Sequence, residues 1–495
     1  MHAAPIITAL AAILAGCGGD EPGERRPPGN STDPDDTGEA CGGLDWSGEP
    51  LVATLPSGYP DGAFAGAEGV AASCEDNAAS APTFWRTDLT GDGLADLVVT
   101  RDCADATVGD AIWRVHPAGA DGFGEAIDWA LPAGFSTLAF ATLEGSDPVC
   151  EFGSNVPAWH LRDMDADGLV DLVSTKQCID PAVGDTSWKV YPNTGTGFAA
   201  GEPWDLPGGF SEYAFVAPRH EARCESGAVF PAWGVADLDA DGLPDLVGTQ
   251  ECVDAQVGDT YWHWWRNDGA AFEGAARVWD LPTGLYAPSL ERPDWACEYR
   301  DYQPAYFLED MDGDGAVDVV SPYDCIDPST GLSYWNVYPS TGEGFADVRI
   351  QWRLPDGYAP GTFAVGELDA PDCAASAPAF DLRDADADGR PDLVVMADCT
   401  ESTLGDTHWR VHANTGAAFE AAPYEASLPL GHSAYAFAPP ASAAASCAGA
   451  GDRPAWARWD YDADGRDDLV VTEACDDSAV GTSTWRVYRG ACAAE

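Results

Sequence analysis

The chain has 495 residues, with 24 Lys plus Arg against 83 Asp plus Glu, and a formal net charge of −59. This balance excludes nucleic acid and anionic lipid headgroups as electrostatic partners and favours cations, basic partners or solubility alone. At 45% hydrophobic residues the chain is not disordered throughout, and its length allows about two to four ordinary domains or one large repeat array.

Residues 6–14 form an apolar run too short to span a bilayer, which reads as the core of a signal peptide over residues 1–16. The run ends in Leu14-Ala15-Gly16-Cys17, which resembles a bacterial lipobox. The resemblance implies cleavage before Cys17, a lipid on its thiol, and membrane contact through that anchor alone, at the outer membrane or cell surface. An ordinary secretory signal is the alternative. Residues 17–43 read as an acidic Gly/Pro-rich tether, with too few apolar side chains to bury a core.

Residues 44–495 repeat one unit six times. Asp88, Asp163, Asp237, Asp310, Asp384 and Asp460 recur at intervals of 73 to 76 residues. A Cys follows each of them 15 residues later, and a Trp 25 residues later. Each unit reads as about four strands. An aromatic such as Trp159 opens the first, and the second is a β-rich run such as Leu97-Val98-Val99-Thr100. Trp188-Lys189-Val190-Tyr191 shows the period-two alternation of the third. After a Gly-rich turn comes a short outer segment ending in Leu-Pro. The prediction is an all-β, six-bladed β-propeller. Residues 51–56 are an outer segment with no blade before them, and the sixth unit lacks one. This N-terminal strand is therefore expected to complete the last blade and close the ring, an open stack being the alternative.

Cysteine spacing predicts one disulfide per blade: Cys74–Cys103, Cys150–Cys178, Cys224–Cys252, Cys297–Cys325, Cys373–Cys399 and Cys447–Cys475. A seventh, Cys41–Cys492, would staple the two ends together. Seven disulfides require an oxidising compartment, in keeping with export.

The loop between the first two strands of each unit carries the chemistry. Its positions one, three, five and nine are Asp163, Asp165, Asp167 and Asp171 in the second unit, with Gly168 at position six. The corresponding residues are Asp237, Asp239, Asp241 and Asp245; Asp310, Asp312, Asp314 and Asp318; Asp384, Asp386, Asp388 and Asp392; and Asp460, Asp462, Asp464 and Asp468. The first loop departs once, with Asp88, Thr90, Asp92 and Asp96. Converging hard oxygens, with the position-seven backbone carbonyls of Leu94, Leu169, Leu243, Ala316, Arg390 and Arg466, fit Ca²⁺ better than Mg²⁺, at about six sites. An EF-hand is excluded, because position twelve lacks the Glu and the flanking residues are β-formers.

The D-x-D-x-D-G-x-x-D loops, the W-x-V-[YH] strands and the Asn193-Thr194-Gly195-Thr196-Gly197-Phe198 turn resemble FG-GAP/VCBS-type repeats over residues 44–492. This resemblance implies the β-propeller fold of integrin α-subunits and of many exported bacterial proteins. The chain departs from integrins in having six units, each with a loop and a cysteine pair.

No nucleophile, zinc or P-loop motif is present, so no catalytic residue is expected. His116 and His412 read as strand surface, and the repeated Trp residues as core. The expected function is non-enzymatic adhesion or binding of a protein or glycan through variable loops such as 143–149 and 289–296. A polysaccharide-active enzyme and an envelope assembly scaffold are the alternatives.

Overall fold

The structure is a computed structural model. It describes residues 44–492 apart from 67, 70–80, 143, 146–147, 152–153, 225–228, 293–303, 325–326, 360, 369–376, 433–435, 439–440, 442–443 and 448–452. The signal peptide, Cys17 and the tether lie outside the described residues, as does part of both variable loops.

Six sheets, one per repeat, form a six-bladed β-propeller. In blade 2 the strands are Ala158–Arg162, Asp171–Lys176, Ser187–Tyr191 and Glu202–Asp205, each antiparallel to the next. The second strand reads Asp-Leu-Val-Ser-Thr-Lys and is buried along its first five residues. Blades cover it on both faces, so it needs apolar or hydrogen-bonded side chains throughout rather than at alternate positions. The outer strand buries only Trp204. Every inner strand pair starts with a register shift beside the aromatic, as at Ala158/Trp159, which bends the strand there.

The third-strand Trp residues, Trp113, Trp188, Trp262, Trp335, Trp409 and Trp485, are fully buried between blades. Each satisfies its only donor. The indole N–H groups of Trp113, Trp188 and Trp262 donate to the Phe140, Phe215 and Ala287 carbonyls at 2.7 Å. Trp335, Trp409 and Trp485 donate to Phe363, Phe437 and Phe64 at 2.6, 2.7 and 2.8 Å. A large apolar body with its one polar atom paired is the cheapest way to fill such a layer. A Phe from the Gly-rich turn of the next blade meets five of the six indoles edge-on: Phe198 on Trp113 at 5.7 Å, Phe272 on Trp188 at 5.4 Å, and likewise Phe345, Phe419 and Phe123.

Trp409 is met instead by Trp46, edge-on at 5.2 Å. Trp46 is 1% exposed and donates its Nε1–H to the Asp467 carbonyl at 3.0 Å. Nothing in the repeat pattern points to Trp46, because it lies before the first unit. Beside it, Leu44–Asp45 pairs with Ala491–Cys492 and with Tyr424–Ser427. The sixth sheet consists of Ala455–Trp459, Asp468–Glu473, Thr484–Tyr488 and the early strand Leu51–Thr54. Ala53 stands opposite Trp485 in the antiparallel register.

Three disulfides have both ends described: Cys150–Cys178, Cys224–Cys252 and Cys447–Cys475, with Cα atoms 5.2, 5.3 and 5.3 Å apart. Among the described residues, both ends of the expected disulfide are thus seen in blades 2, 3 and 6. Cys103, Cys399 and Cys492 are also disulfide-bonded. Cys74, Cys373, Cys41, Cys297 and Cys325 lie outside the described residues. The upstream cysteine is not on the inner strand. In blade 2 it sits in a small side hairpin where Val149 pairs with Val156. Disulfides of this kind persist in an oxidising, extracytoplasmic environment.

Two histidines expected at the strand surface are buried instead. His116 is 5% exposed and His412 1%. Their Nε2 atoms lie 3.1 and 2.9 Å from the hydroxyls of Tyr59 and Tyr358, which reach in from loops more than 50 residues upstream. Burial lowers the pKa of both rings, to about 4 for His412.

Candidate metal centres

The six aspartate loops share one hydrogen-bond scheme. The position-one carboxylate accepts from the position-six Gly N–H, as Asp88 does from Gly93 at 2.7 Å and Asp237 from Gly242 at 2.8 Å. The position-five carboxylate accepts from the position-seven N–H at 2.9 Å, as Asp167 does from Leu169. Every position-six Gly has a positive φ, such as 85° at Gly168. Position four is also left-handed: Ala166, Ala240, Ala387 and Ala463 have φ of 56–62°. Such a conformation costs a non-Gly residue about 1 kcal/mol, and the ring of side-chain bonds around it holds it in place.

Position nine has two structural duties. In every blade this Asp is 0–1% exposed, and both of its oxygens accept backbone N–H groups. Asp245 takes Leu238 at 3.3 Å across the loop and Asn267 at 2.8 Å from the end of the third strand. Asp392 takes Ala385 at 3.1 Å and Asn414 at 2.7 Å. Burial is the first cause of its raised pKa: about 6 at Asp96, 7 at Asp171 and Asp318, and 8 at Asp245, Asp392 and Asp468. Position one follows with about 6 at Asp237, Asp384 and Asp460.

An asparagine ties neighbouring loops together. Asn267 is fully buried and donates its amide to the Met164 carbonyl of loop 2 at 2.9 Å and to the Pro244 carbonyl of its own loop at 3.3 Å. Asn193 links loops 1 and 2 through Leu89 and Val170, and Asn414 links loops 4 and 5 through Met311 and Pro391. In the sequence these residues read only as turn formers.

Five loops bring three carboxylates within 4.8 Å of one another. The groups are Asp163, Asp165 and Asp171; Asp237, Asp239 and Asp245; Asp310, Asp312 and Asp314; Asp384, Asp386 and Asp392; and Asp460, Asp462 and Asp464. Loop 1 is not among these three-carboxylate groups. Thr90 brings no carboxylate to position three of that loop. In loops 2, 3 and 6, Asp163 Oδ1, Asp239 Oδ1 and Asp462 Oδ1 are buried with no hydrogen-bond partner. A buried carboxylate oxygen without a donor is unfavourable unless a cation meets it. The donor set is all oxygen and flexible, which fits Ca²⁺. Bound there, the ion would supply positive charge to the converged carboxylates.

No family model matches the chain, and no curated protein does. Among solved structures, the Tc holotoxin pore of Photorhabdus luminescens is similar at 13% identity and a TM-score of 0.47, over 90% of this chain. The chain spans 15% of the length of that toxin chain. An Agrocybe aegerita lectin that recognises non-reducing terminal N-acetylglucosamine is similar at 17% identity and a TM-score of 0.40, over 87% of this chain and 86% of the lectin.

Proposed function

We propose that this chain is an exported, calcium-dependent propeller of the FG-GAP/VCBS type, lipid-anchored through Cys17 at the bacterial cell envelope. It binds a protein or glycan without catalysing a reaction. The observation that carries this reading is the convergence of three aspartates in each of five loops, of which loops 2, 3 and 6 also hold a buried, donorless carboxylate oxygen. Calcium braces these hairpins, and the connections on the propeller present the ligand-binding surface. In this reading Leu51–Thr54 closes the ring, one disulfide pins each blade, and Cys41 pairs with Cys492. Assignment of the buried His116 and His412 to tyrosine partners supports a structural role for them rather than an acid–base one.

The test is binding of the full chain to arrays of glycans and of envelope proteins, in millimolar calcium and in EDTA. Retention of a glycan or envelope protein that EDTA abolishes is the expected result. Turnover of a glycan or ester substrate, or an absence of bound calcium by mass spectrometry, overturns the reading.

A further inference from the structure

Arginines reach into some of the aspartate loops and not others. In blade 3, Arg266 follows the third strand and bonds Asp239 Oδ2 through Nε at 2.6 Å, and its Nη2 bonds Asp241. In blade 6, Arg489 holds the equivalent place and bonds Asp462 Oδ2 at 3.0 Å. Arg466, at position seven of that loop, bonds Asp464 at 3.1 Å. Blade 2 has Pro192 where Arg266 and Arg489 stand, and no arginine contacts its loop aspartates among the described residues. Four aspartates meet no guanidinium in loop 2 and one in loop 3, whereas loop 6 has five aspartates, Asp467 being the fifth, and meets three guanidiniums, those of Arg466, Arg489 and, on Asp467, Arg383. The formal loop charges are −4, −3 and −2. In loops 3 and 6 the bonded oxygen is the outer one, and the inner Oδ1 of Asp239 and of Asp462 stays buried and donorless.

We infer that Arg266, Arg466 and Arg489 are resident counter-cations that grade the loops into a filling order for divalent cations, loop 2 before loop 3 and loop 6 last. This rests on the calcium reading above. A unit positive charge about 6 Å from a divalent ion lowers its affinity by about tenfold or more even at an effective dielectric of about 40. The same guanidiniums hold the loop carboxylates together when no ion is present. Loop 6 is where this matters most, because its Asp467 carries Trp46 on its carbonyl and Arg383 on its carboxylate at 3.3 Å. Leu44–Asp45 and Ala491–Cys492 pair beside it, so this seam keeps its guanidinium counter-charges even at low calcium.

Equilibrium dialysis of the full chain with radioactive calcium tests the order. The wild type should bind in at least two classes. Asp165→Asn in loop 2 should remove one equivalent from the tight class, and Asp462→Asn in loop 6 should leave that class intact. Arg466→Gln with Arg489→Gln should move one equivalent into the tight class, a gain of about tenfold or more, and should melt at a lower temperature than wild type in EDTA. The Asp variants test the order independently of how the double Arg variant folds. One class in the wild type, or unchanged dialysis curves for the Arg variant, overturns the inference while leaving the calcium reading standing. A wild type that binds no calcium overturns both.

Discussion

Asn267 gives the sharpest energetic test of how the loops are joined. Replacing it by Ala keeps the backbone N–H that bonds Asp245 at 2.8 Å. It removes the amide donors to Met164 and Pro244 and the Oδ1 acceptor of the Gly269 N–H at 2.9 Å. Leaving a buried polar group unsatisfied costs roughly 1–3 kcal/mol, and carbonyls, with two lone pairs, sit at the lower end. Two orphaned carbonyls and one lost N–H bond therefore predict a destabilisation of about 3 kcal/mol for Asn267→Ala. Ser340 stands at the same place in blade 4, where its Oγ only accepts from Gly342 at 3.3 Å, so Ser340→Ala should cost less than about 1 kcal/mol. Urea unfolding at fixed millimolar calcium, followed by tryptophan fluorescence, measures both shifts. If Asn267→Ala loses no more than Ser340→Ala, the inter-blade amide does not hold the loops together.

Other outcomes follow from the same geometry. Without metal, the position-nine carboxyls sit at about 6 to 8, above an unfolded value near 3.8, so the folded state holds their protons more tightly. That contribution is present at low pH and is lost as pH rises through about 6 to 8, on the order of 4 kcal/mol for a group held near 7. In EDTA the melting temperature should fall between pH 5 and pH 8, and in calcium it should not; a metal-free melt that rises with pH contradicts the burial argument. Ala387→Gly relieves a φ of 61° and should stabilise the chain by about 0.5–1 kcal/mol in the same unfolding assay. Trp46→Ala empties a slot that is 1% exposed and should cost about 3–5 kcal/mol by denaturant unfolding, whereas a loss under about 1 kcal/mol would mean the slot is not filled in solution.

The blades were legible because their marks are rigid in spacing. The Cys and Trp offsets are the same in all six units, and strands that pack on both faces cannot absorb insertions without changing register. The aspartate loops were legible for a related reason, since a carboxylate at each of four fixed positions has no use in a plain turn. What the repeat hid were contacts made across repeats. His116 and His412 alternate with Tyr in a strand pattern, and their contacts with Tyr59 and Tyr358 come from loops more than 50 residues upstream. Asn193, Asn267 and Asn414 carry a turn signature, and their amides act on a loop more than 100 residues earlier. Thr90 already marked loop 1 in the sequence as the one loop short of a carboxylate.

The pairing of Leu51–Thr54 with Thr484–Tyr488 sets a timetable for the newly made chain. Leu51–Thr54 is made early and then waits for a partner more than 400 residues later, so five sheets can assemble before their final neighbour exists. A contact this distant in sequence forms slowly, and until it does an unpaired strand edge and the apolar slot of Trp46 stay open to solvent. A partial product that lacks Thr484–Tyr488 therefore cannot complete the sixth sheet.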